Sequence, residues 1–479
     1  MDWSRHPALQ RALQQTETPR YAALATALQG LILTGELLPG DRLPPERVLA
    51  EALGLSRSTI VATYGRLAEA GWVTARQGQG TTVAAGAPGH VAARKRRVPI
   101  GNPALRGPVG EGAWIDFGLA TAVPELAWLQ PSEAATALVL RESAYQPQGL
   151  LALRERLAAR YTACGLSTTP EQILVCAGAQ QALALVAQHY LAPGDRVLIE
   201  DPNYFGALDL FRAAGAHLLG EAVRPHGAHV AHLAQRLQAE EPQLVFVCPT
   251  LHNPTGWGWT PSAAERFARA ARRASSSLVL IDDSLADLRF DAAPPPLLAR
   301  GHNIVHVGSL SKSLWAGLRI GWLRAEAPVI ETLRRAKANA DIACSALSSA
   351  IACDLLDRFE ALVEPRRAQL KLQGRLLREA LAAALPDWTC AAPEGGLFLW
   401  PALPTEQAEP LVQAAEALRL RLTAGSALAA EPGAAANRLR LAFTQPPALL
   451  QAGVARLAEA YASLEVAAAA PQSTRPSRR

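Results

Sequence analysis

Lysine is almost missing from this 479-residue sequence. Only Lys95, Lys312, Lys337 and Lys371 occur, against 43 arginines, so a side-chain amine stands out wherever it is found. Cysteine is also sparse: Cys164, Cys176, Cys248, Cys344, Cys353 and Cys390 are scattered, with no CxxC pair. That spacing argues against a zinc site or a disulfide framework and fits a reducing cytoplasm, and no metal is expected. Long hydrophobic runs are lacking as well. One of the two longest uncharged stretches, from Gln172 to Gly194, is broken by Gly, Pro and several Gln, and it reads as a strand and helix rather than a membrane span. The opening MDWSRHPALQ has no apolar core of a secretory leader, so none is expected at this end. With 49% hydrophobic and 19% charged residues, the chain is neither mainly disordered nor collagen-like. Its length predicts two or three domains.

The positive charge is unevenly distributed. Residues 1–97 hold 12 Lys/Arg against 7 Asp/Glu, whereas the remainder holds 35 of each, so the net +5 sits in the first fifth. A small basic module on a neutral body points to a polyanion partner. After an N-terminal segment (1–19), residues 20–84 carry the pattern of that module. Tyr21, Leu24, Leu28 and Leu31 recur at helical spacing. Pro44 and Pro45 open a second helix over 46–53, which Gly54 stops. Ser56 caps a third helix running from Arg57 to about Ala70, with Ile60, Tyr64 and Leu67 turned inward. The alternation in WVTARQGQGTTVA then predicts a hairpin turning at Gly78–Gly80. Helix, short helix, turn, helix and hairpin is the layout of a winged helix-turn-helix. It leaves Arg57, Ser58 and Arg66 outside, with a helix N-terminus free to approach phosphate or base edges. A protein-contact domain with a solvated basic face has the same pattern.

The stretch ILTGELLPGDRLPPERVLAEALGLSRSTIVATYGRLAEAGWVTARQGQGTTV resembles the DNA-binding domain of GntR-type regulators. The resemblance implies that Arg47 touches duplex DNA, and that Ser56, Arg57, Ser58 and Thr59 lead the recognition helix into the major groove. It also implies that Gln77 and Gly78 bring the wing tip to the minor groove.

Residues 85–113, rich in Gly, Pro and Ala and carrying the basic run Arg94–Arg97, read as a flexible basic linker. From 114 to 465, helical patterns alternate with short apolar runs: 173–176, 196–200, 244–248, 278–282, 304–308 and 319–323. This predicts an α/β fold with a mainly parallel sheet covered on both faces. Residues 466–479 read as a disordered tail. Ligands of such sheets collect beyond the carboxyl ends of the strands, so the residues following each run are the candidates for a site. Gly178, Ala179 and Gln180 open a helix that can cradle an anion. Tyr204 can stack on a flat ring or simply pack. Asn253 lies in an Asn-Pro-Thr-Gly turn. Asp282 ends an apolar run and needs a partner, which a protonated ring nitrogen, an arginine or a helix N-terminus would each provide. Lys312 sits among Ser309, Ser311 and apolar residues, with Arg319 seven positions on. An amine so placed can have a lowered pKa and condense with an aldehyde, while the hydroxyls and Arg319 hold a phosphate.

This ordered set, above all HNPTG (252–256) and SLSKSLWAGLRIG (309–321), resembles the fold-type I aminotransferases that use pyridoxal 5′-phosphate (PLP). That resemblance adds a smaller C-terminal α/β subdomain. It implies that Lys312 bonds the cofactor aldehyde and that Asp282 pairs with the ring nitrogen. Asn253 contacts the ring hydroxyl, and Tyr204 stacks on the ring. Gly178, Ala179, Gln180, Ser309, Ser311 and Arg319 surround the phosphate. Arg440 grips a substrate carboxylate, and Tyr145 reaches the partner's site in a homodimer. Two positions depart from the family pattern. Ser284 and Leu285 stand where a tyrosine usually follows the aspartate, and Ala316 replaces a proline. A GntR-type reader joined to such a body resembles the MocR subfamily. This implies a cytoplasmic regulator of a double-stranded DNA operator that senses an amino compound or a B6 vitamer. A working aminotransferase with an accessory DNA-binding domain is the alternative.

Overall fold

The computed structural model describes residues 3, 6–14, 19–33, 36–37, 40–76, 80–84, 114–120, 128, 130–141, 145–291, 301–431 and 433–469. The expected linker, wing-tip residues Gln77 and Gly78, and positions 470–479 of the expected tail lie outside them. The chain divides into two compact units, Met1–Val98 and Pro99–Arg479.

The first unit contains α1 (Pro7–Gln14), α2 (Arg20–Leu33), α3 (Glu46–Leu53), α4 (Arg57–Glu69) and the antiparallel pair β1 (Val73–Arg76) and β2 (Gly80–Val83). Gly54 closes α3 in the left-handed conformation, at φ 64°. Ser56 caps α4 by accepting a bond from the Thr59 amide at 3.2 Å. Leu24, Leu28 and Leu31 of α2 meet Leu49, Ile60 and Leu67 in the core. Tyr21, expected in that stripe, is exposed instead: the apolar face of α2 begins at Ala22. Helix α1 had no counterpart in the sequence reading. Its two turns are too short for a clear periodicity, yet Leu9 and Ala12 complete the same core.

The second unit is built on a seven-stranded sheet. Its strands are, in chain order, β4 (Ile173–Cys176), β5 (Arg196–Asp201), β6 (His217–Ala222), β7 (Leu244–Val247), β8 (Leu278–Asp282), β9 (Ile304–Ser309) and β10 (Gly321–Arg324), preceded by a short β3 (Ile115–Asp116). The spatial order is β4-β10-β9-β8-β7-β5-β6, parallel except for β10, which runs against both neighbours. The buried strands are continuous Val, Ile and Leu runs because both faces are covered. Helices α7 (Ala179–Tyr190) and α8 (Phe205–Ala213) pack on one face through Leu183, Val186 and Phe211. On the other, α9 (Val230–Glu240) and α10 (Pro261–Arg273) pack through Leu233 and Phe267.

A smaller α/β layer follows. The strands β11 (Phe398–Leu399), β13 (Thr423–Ala424) and β14 (Leu439–Ala442) form a sheet in the order β11-β14-β13. Beside them lie α13 (Phe359–Ala384), α14 (Ala408–Ala417) and α15 (Pro447–Ala469). Strand β12 (Leu420–Arg421) pairs with β3, which ties residues 115–116 to this layer. Helix α15 continues to Ala469, beyond the expected start of the tail at 466. Two further helices, α5 (Glu133–Arg141) and α6 (Leu151–Ala163), contact α12 (Ala346–Asp357), and α11 (Ala327–Ala340) packs on α7. Among the described residues, no helix is long and apolar enough to cross a membrane.

Candidate functional site

Five strand ends converge on one cavity of about 340 Å³. Beyond β4 it is lined by Ala179 and Gln180, beyond β5 by Tyr204, and beyond β7 by Asn253. Asp282 contributes at the tip of β8, and Ser309, Ser311, Lys312 and Arg319 line it where β9 turns back into β10. Arg440 enters from β14. Gly178 stands directly behind this wall at φ 89°, and a Cβ there would come within 3.0 Å of Arg319 Nη2. Only glycine satisfies both the backbone conformation and the approach. Tyr145 is not among the lining residues: it is 75% exposed.

The electrostatics follow from burial. Lys312 Nζ donates to Ala120 O at 3.1 Å. Desolvation, reinforced by Arg440, Arg366 and Arg319, draws its pKa down to about 8. Burial raises the Asp282 carboxyl, and the adjacent Asp283 adds to the rise, against the stabilising bond from Ser284 N to Oδ1 at 2.9 Å. Burial likewise lifts the Tyr204 phenol to about 12. Arg440 is 2% exposed, so desolvation lowers its pKa to about 10. Its Nη2 donates to Gly118 O at 2.8 Å and its Nη1 to Asn253 Oδ1 at 3.4 Å, and Phe398 lies under the guanidinium at 4.3 Å.

Several buried polar atoms at this cavity have no hydrogen-bond partner among the described residues: Gln180 Oε1, Ser311 Oγ and Arg440 Nε. Such atoms are costly unless something else satisfies them. An amine of lowered pKa, a carboxylate on the same wall, an aromatic ring and a helix N-terminus, beside the unpartnered Ser311 hydroxyl and Arg440 Nε, together fit an aldehyde-bearing pyridine phosphate.

Sequence reasoning missed part of the wall. Leu119, Phe205, Leu251 and Phe398 line the cavity, with Leu285 and Ala316 at the two departures from the family pattern. Glu200 was missed too. It is fully buried and accepts from Cys248 N at 2.7 Å and Trp259 Nε1 at 2.9 Å, and His229 Nε2 lies 2.8 Å away. His229 Nδ1 accepts from Arg224 N, which leaves the hydrogen on Nε2 for Glu200. Glu200 thereby joins the ends of β5 and β7, from which Tyr204 and Asn253 project. An acid ending a strand was its only sequence signal.

In the first unit, Arg47, Ser56, Arg57 and Ser58 are exposed along the start of α3 and α4, and Thr59 is half-buried. Ser56 Oγ lies 2.9 Å from Ser58 Oγ and 2.7 Å from Thr59 Oγ1. Arg57 is held by Glu46.

Residues 129–457 match the family "Aminotransferase class I and II", and residues 20–83 match "Bacterial regulatory proteins, gntR family". HTH-type transcriptional regulator TauR of Rhodobacter capsulatus is 32% identical over 474 residues, covering 90% of this chain and 94% of TauR. The 2-aminoadipate transaminase of Thermus thermophilus is 30% identical over 73% of this chain and 90% of its own length. YdfD of Bacillus subtilis, an uncharacterized HTH-type transcriptional regulator, is 32% identical, and the chain spans 62% of its length. Among solved structures, LysN, the alpha-aminoadipate aminotransferase of Thermus thermophilus complexed with N-(5'-phosphopyridoxyl)-L-leucine, has 28% identity and a TM-score of 0.67, covering 74% of this chain and 93% of LysN. Aminotransferases of this class depend on PLP, which is the cofactor of this fold. The chain thus belongs to the aminotransferase class I and II family and, with its GntR module, to the MocR-type HTH transcriptional regulators.

Proposed function

We propose that the chain is a cytoplasmic, PLP-dependent regulator that reads a DNA operator and responds to an amino compound bearing an acid group, or to the B6 cofactor itself. The observation that carries this is the pairing, in one cavity, of an amine with a pKa of about 8 and a buried guanidinium with an unused Nε, in a chain that also has a basic reading module.

When bound, PLP supplies an electrophilic aldehyde and an electron-withdrawing ring. Lys312, largely stripped of solvent, gives up its proton more readily than an ordinary lysine, and its neutral fraction is the nucleophile. Asp282 faces the cavity from the end of β8, where it would keep a proton on the ring nitrogen. Tyr204 offers its ring face and Asn253 its amide. Gln180, Ser309, Ser311, Arg319 and the first N–H groups of α7, from Ala179 on, would hold the phosphate, with Gly178, whose own N–H donates to Cys176 O at 2.9 Å, leaving room for it behind the turn. Arg440 forks onto the effector's carboxylate, so the effector's amino group is oriented toward Lys312. The effector exerts control only through the difference in its affinity for two states of the protein.

In the module, Arg47, Ser56, Arg57, Ser58 and Thr59 meet the duplex, with Gln77 and Gly78 at the wing. A homodimer fits the exposed apolar side chains Leu140, Tyr145, Ile342 and Leu347, which are carried on or beside α5 and α12. Tyr145 is then the residue that reaches the partner's site.

The test is an absorbance titration of the PLP-loaded protein with amino acids, GABA, taurine and B6 vitamers, with operator binding followed in parallel. Spectral change and DNA response should share one midpoint, and both should vanish in Lys312→Ala. A colourless protein at saturating PLP, with nothing trapped by borohydride, would overturn the reading. The retained Lys312, Asp282 and Arg440 also favour a second reading, a working aminotransferase. Sustained multiple turnover would establish it, whereas a single half-reaction would support sensing.

A further inference from the structure

Behind the phosphate end of the cavity runs a chain of hydrogen bonds that none of the roles above uses. Ala177, the residue before the Gly178 turn, is held from two sides. Its N–H donates to Gln181 Oε1 at 2.6 Å, and its carbonyl accepts from the Arg319 guanidinium. Gln181 is in turn fixed by its other end, since its Nε2 donates to Asp341 Oδ2 at 2.5 Å. The second oxygen of Asp341 accepts from Lys337 Nζ at 2.7 Å. Lys337, one of the four lysines, is fully buried. A buried ammonium is costly without a partner, and Asp341 supplies one. Directly after Asp341, the chain reverses at Ile342 with φ 62°, a left-handed conformation that a β-branched residue rarely adopts. The carboxylate that orients Gln181 is therefore pinned at the end of α11, where it faces the first turn of α7.

We propose that Gln181, oriented by the Lys337–Asp341 pair, is a positioning residue for the phosphate-binding turn: it sets the Ala177 peptide and thereby aims the first N–H groups of α7, from Ala179 on, and the Arg319 guanidinium at one anion. Three features support this. Gln181 binds the turn with its acceptor and the ion pair with its donor, so its amide orientation is fixed at both ends. Arg319 and Gln181 grip the same residue, so displacing Ala177 moves the backbone donors and the side-chain cation together. Gly321 packs against the opposite side of the turn, where a Cβ would stand 2.5 Å from Gly178 C, so the turn has no room to drift that way.

The proposal rests on the assignment of this turn to the cofactor's phosphate, and the two are separable by comparing PLP with pyridoxal, which lacks the phosphate. Dissociation constants of both are measured by absorbance on apo wild type, Gln181→Leu and Asp341→Asn, with the apo melting temperature of each. Wild type should bind PLP far more tightly than pyridoxal. Gln181→Leu should weaken PLP about ten-fold and leave pyridoxal within about two-fold, the scale of one charge-assisted hydrogen bond misplaced. Asp341→Asn should do the same and melt earlier, because Lys337 loses its counter-charge. If Asp341→Asn does not fold, Gln181→Leu carries the test, since the ion pair remains in it. Equal weakening of both ligands, or none, overturns the positioning role. No preference for PLP in wild type overturns the phosphate assignment and the proposal with it.

Discussion

Glu46 Oε2 accepts two bonds from the Arg57 guanidinium, from Nε at 3.1 Å and from Nη2 at 3.0 Å. The first residue of α4, proposed to read DNA, is therefore engaged by the first residue of α3. An exposed pair of this kind is worth roughly 0.2–1 kcal/mol, and Arg57 must give it up to bind phosphate or a base edge. Glu46→Gln is expected to tighten operator binding about two- to five-fold, as measured by fluorescence anisotropy. Arg57→Ala and Arg47→Ala should weaken binding, and each should lower the salt slope by about one. Unchanged affinity in both would remove the assigned reading surface.

The Lys312 amine should titrate near pH 8, because burial and three nearby guanidinium groups disfavour its charged form. At pH 7 about one amine in ten is then neutral, against roughly three in ten thousand for an ordinary lysine. Competitive acylation of the apo protein, read by mass spectrometry, should show Lys312 reactivity rising through pH 8 and then levelling. A free lysine derivative labelled alongside should still be rising at pH 10. The stability consequence has the same sign. The unfolded chain holds the proton up to about pH 10.5, so Lys312 destabilises the fold at neutral pH, and that cost fades between pH 8 and 10.5.

Arg440→Lys keeps a cation but loses the fork and the bond to Asn253. It should weaken the response to amino acids by about 10- to 100-fold and leave amines without a carboxylate nearly unaffected. Paired spectral titrations with an amino acid and its decarboxylated amine give the comparison. An equal loss for both would mean that Arg440 serves the pocket wall rather than the acid group.

Two glycines with opposite surroundings give a packing test. In Gly321→Ala the new methyl meets backbone on the far side, 2.5 Å from Gly178 C and 2.7 Å from Ala179 N, and neither can step aside cheaply. A cost of about 1–3 kcal/mol and weaker PLP binding are expected. Gly374→Ala, inside α13, meets only Phe443 at 3.5 Å, which is ordinary contact. Helix propensity there should give a gain of roughly 0.5–1 kcal/mol. Thermal melts of both variants decide.

The sheet was legible where burial is complete. All six apolar runs are strands, because a strand covered on both faces has no polar positions to interrupt it. The seventh, His217–Ala222, is a half-buried edge whose His, Gly and Glu hide the signal. The reversed direction of β10 was not legible, since an apolar run carries no arrow. In the cavity, side chains following strands could be read, but the carbonyl partners could not. Ala120 O is 192 positions from Lys312, and Gly118 O is 322 from Arg440, and a carbonyl has no residue signature. The Glu46–Arg57 contact was hidden for a different reason: both side chains are visible in the sequence, but only the turn between two helices brings them together.

The reversed strand β10 has a consequence for how the site can change. A parallel neighbour of β9 would need a crossover that delivers the chain to the opposite rim. The tight return instead leaves Lys312 and Arg319 on the same rim, within one short loop. The amine proposed as the covalent anchor and the guanidinium proposed as the anion's counter-charge are thereby inherited together. Lengthening or trimming that loop would disable both at a stroke, while the long crossovers elsewhere remain free to vary.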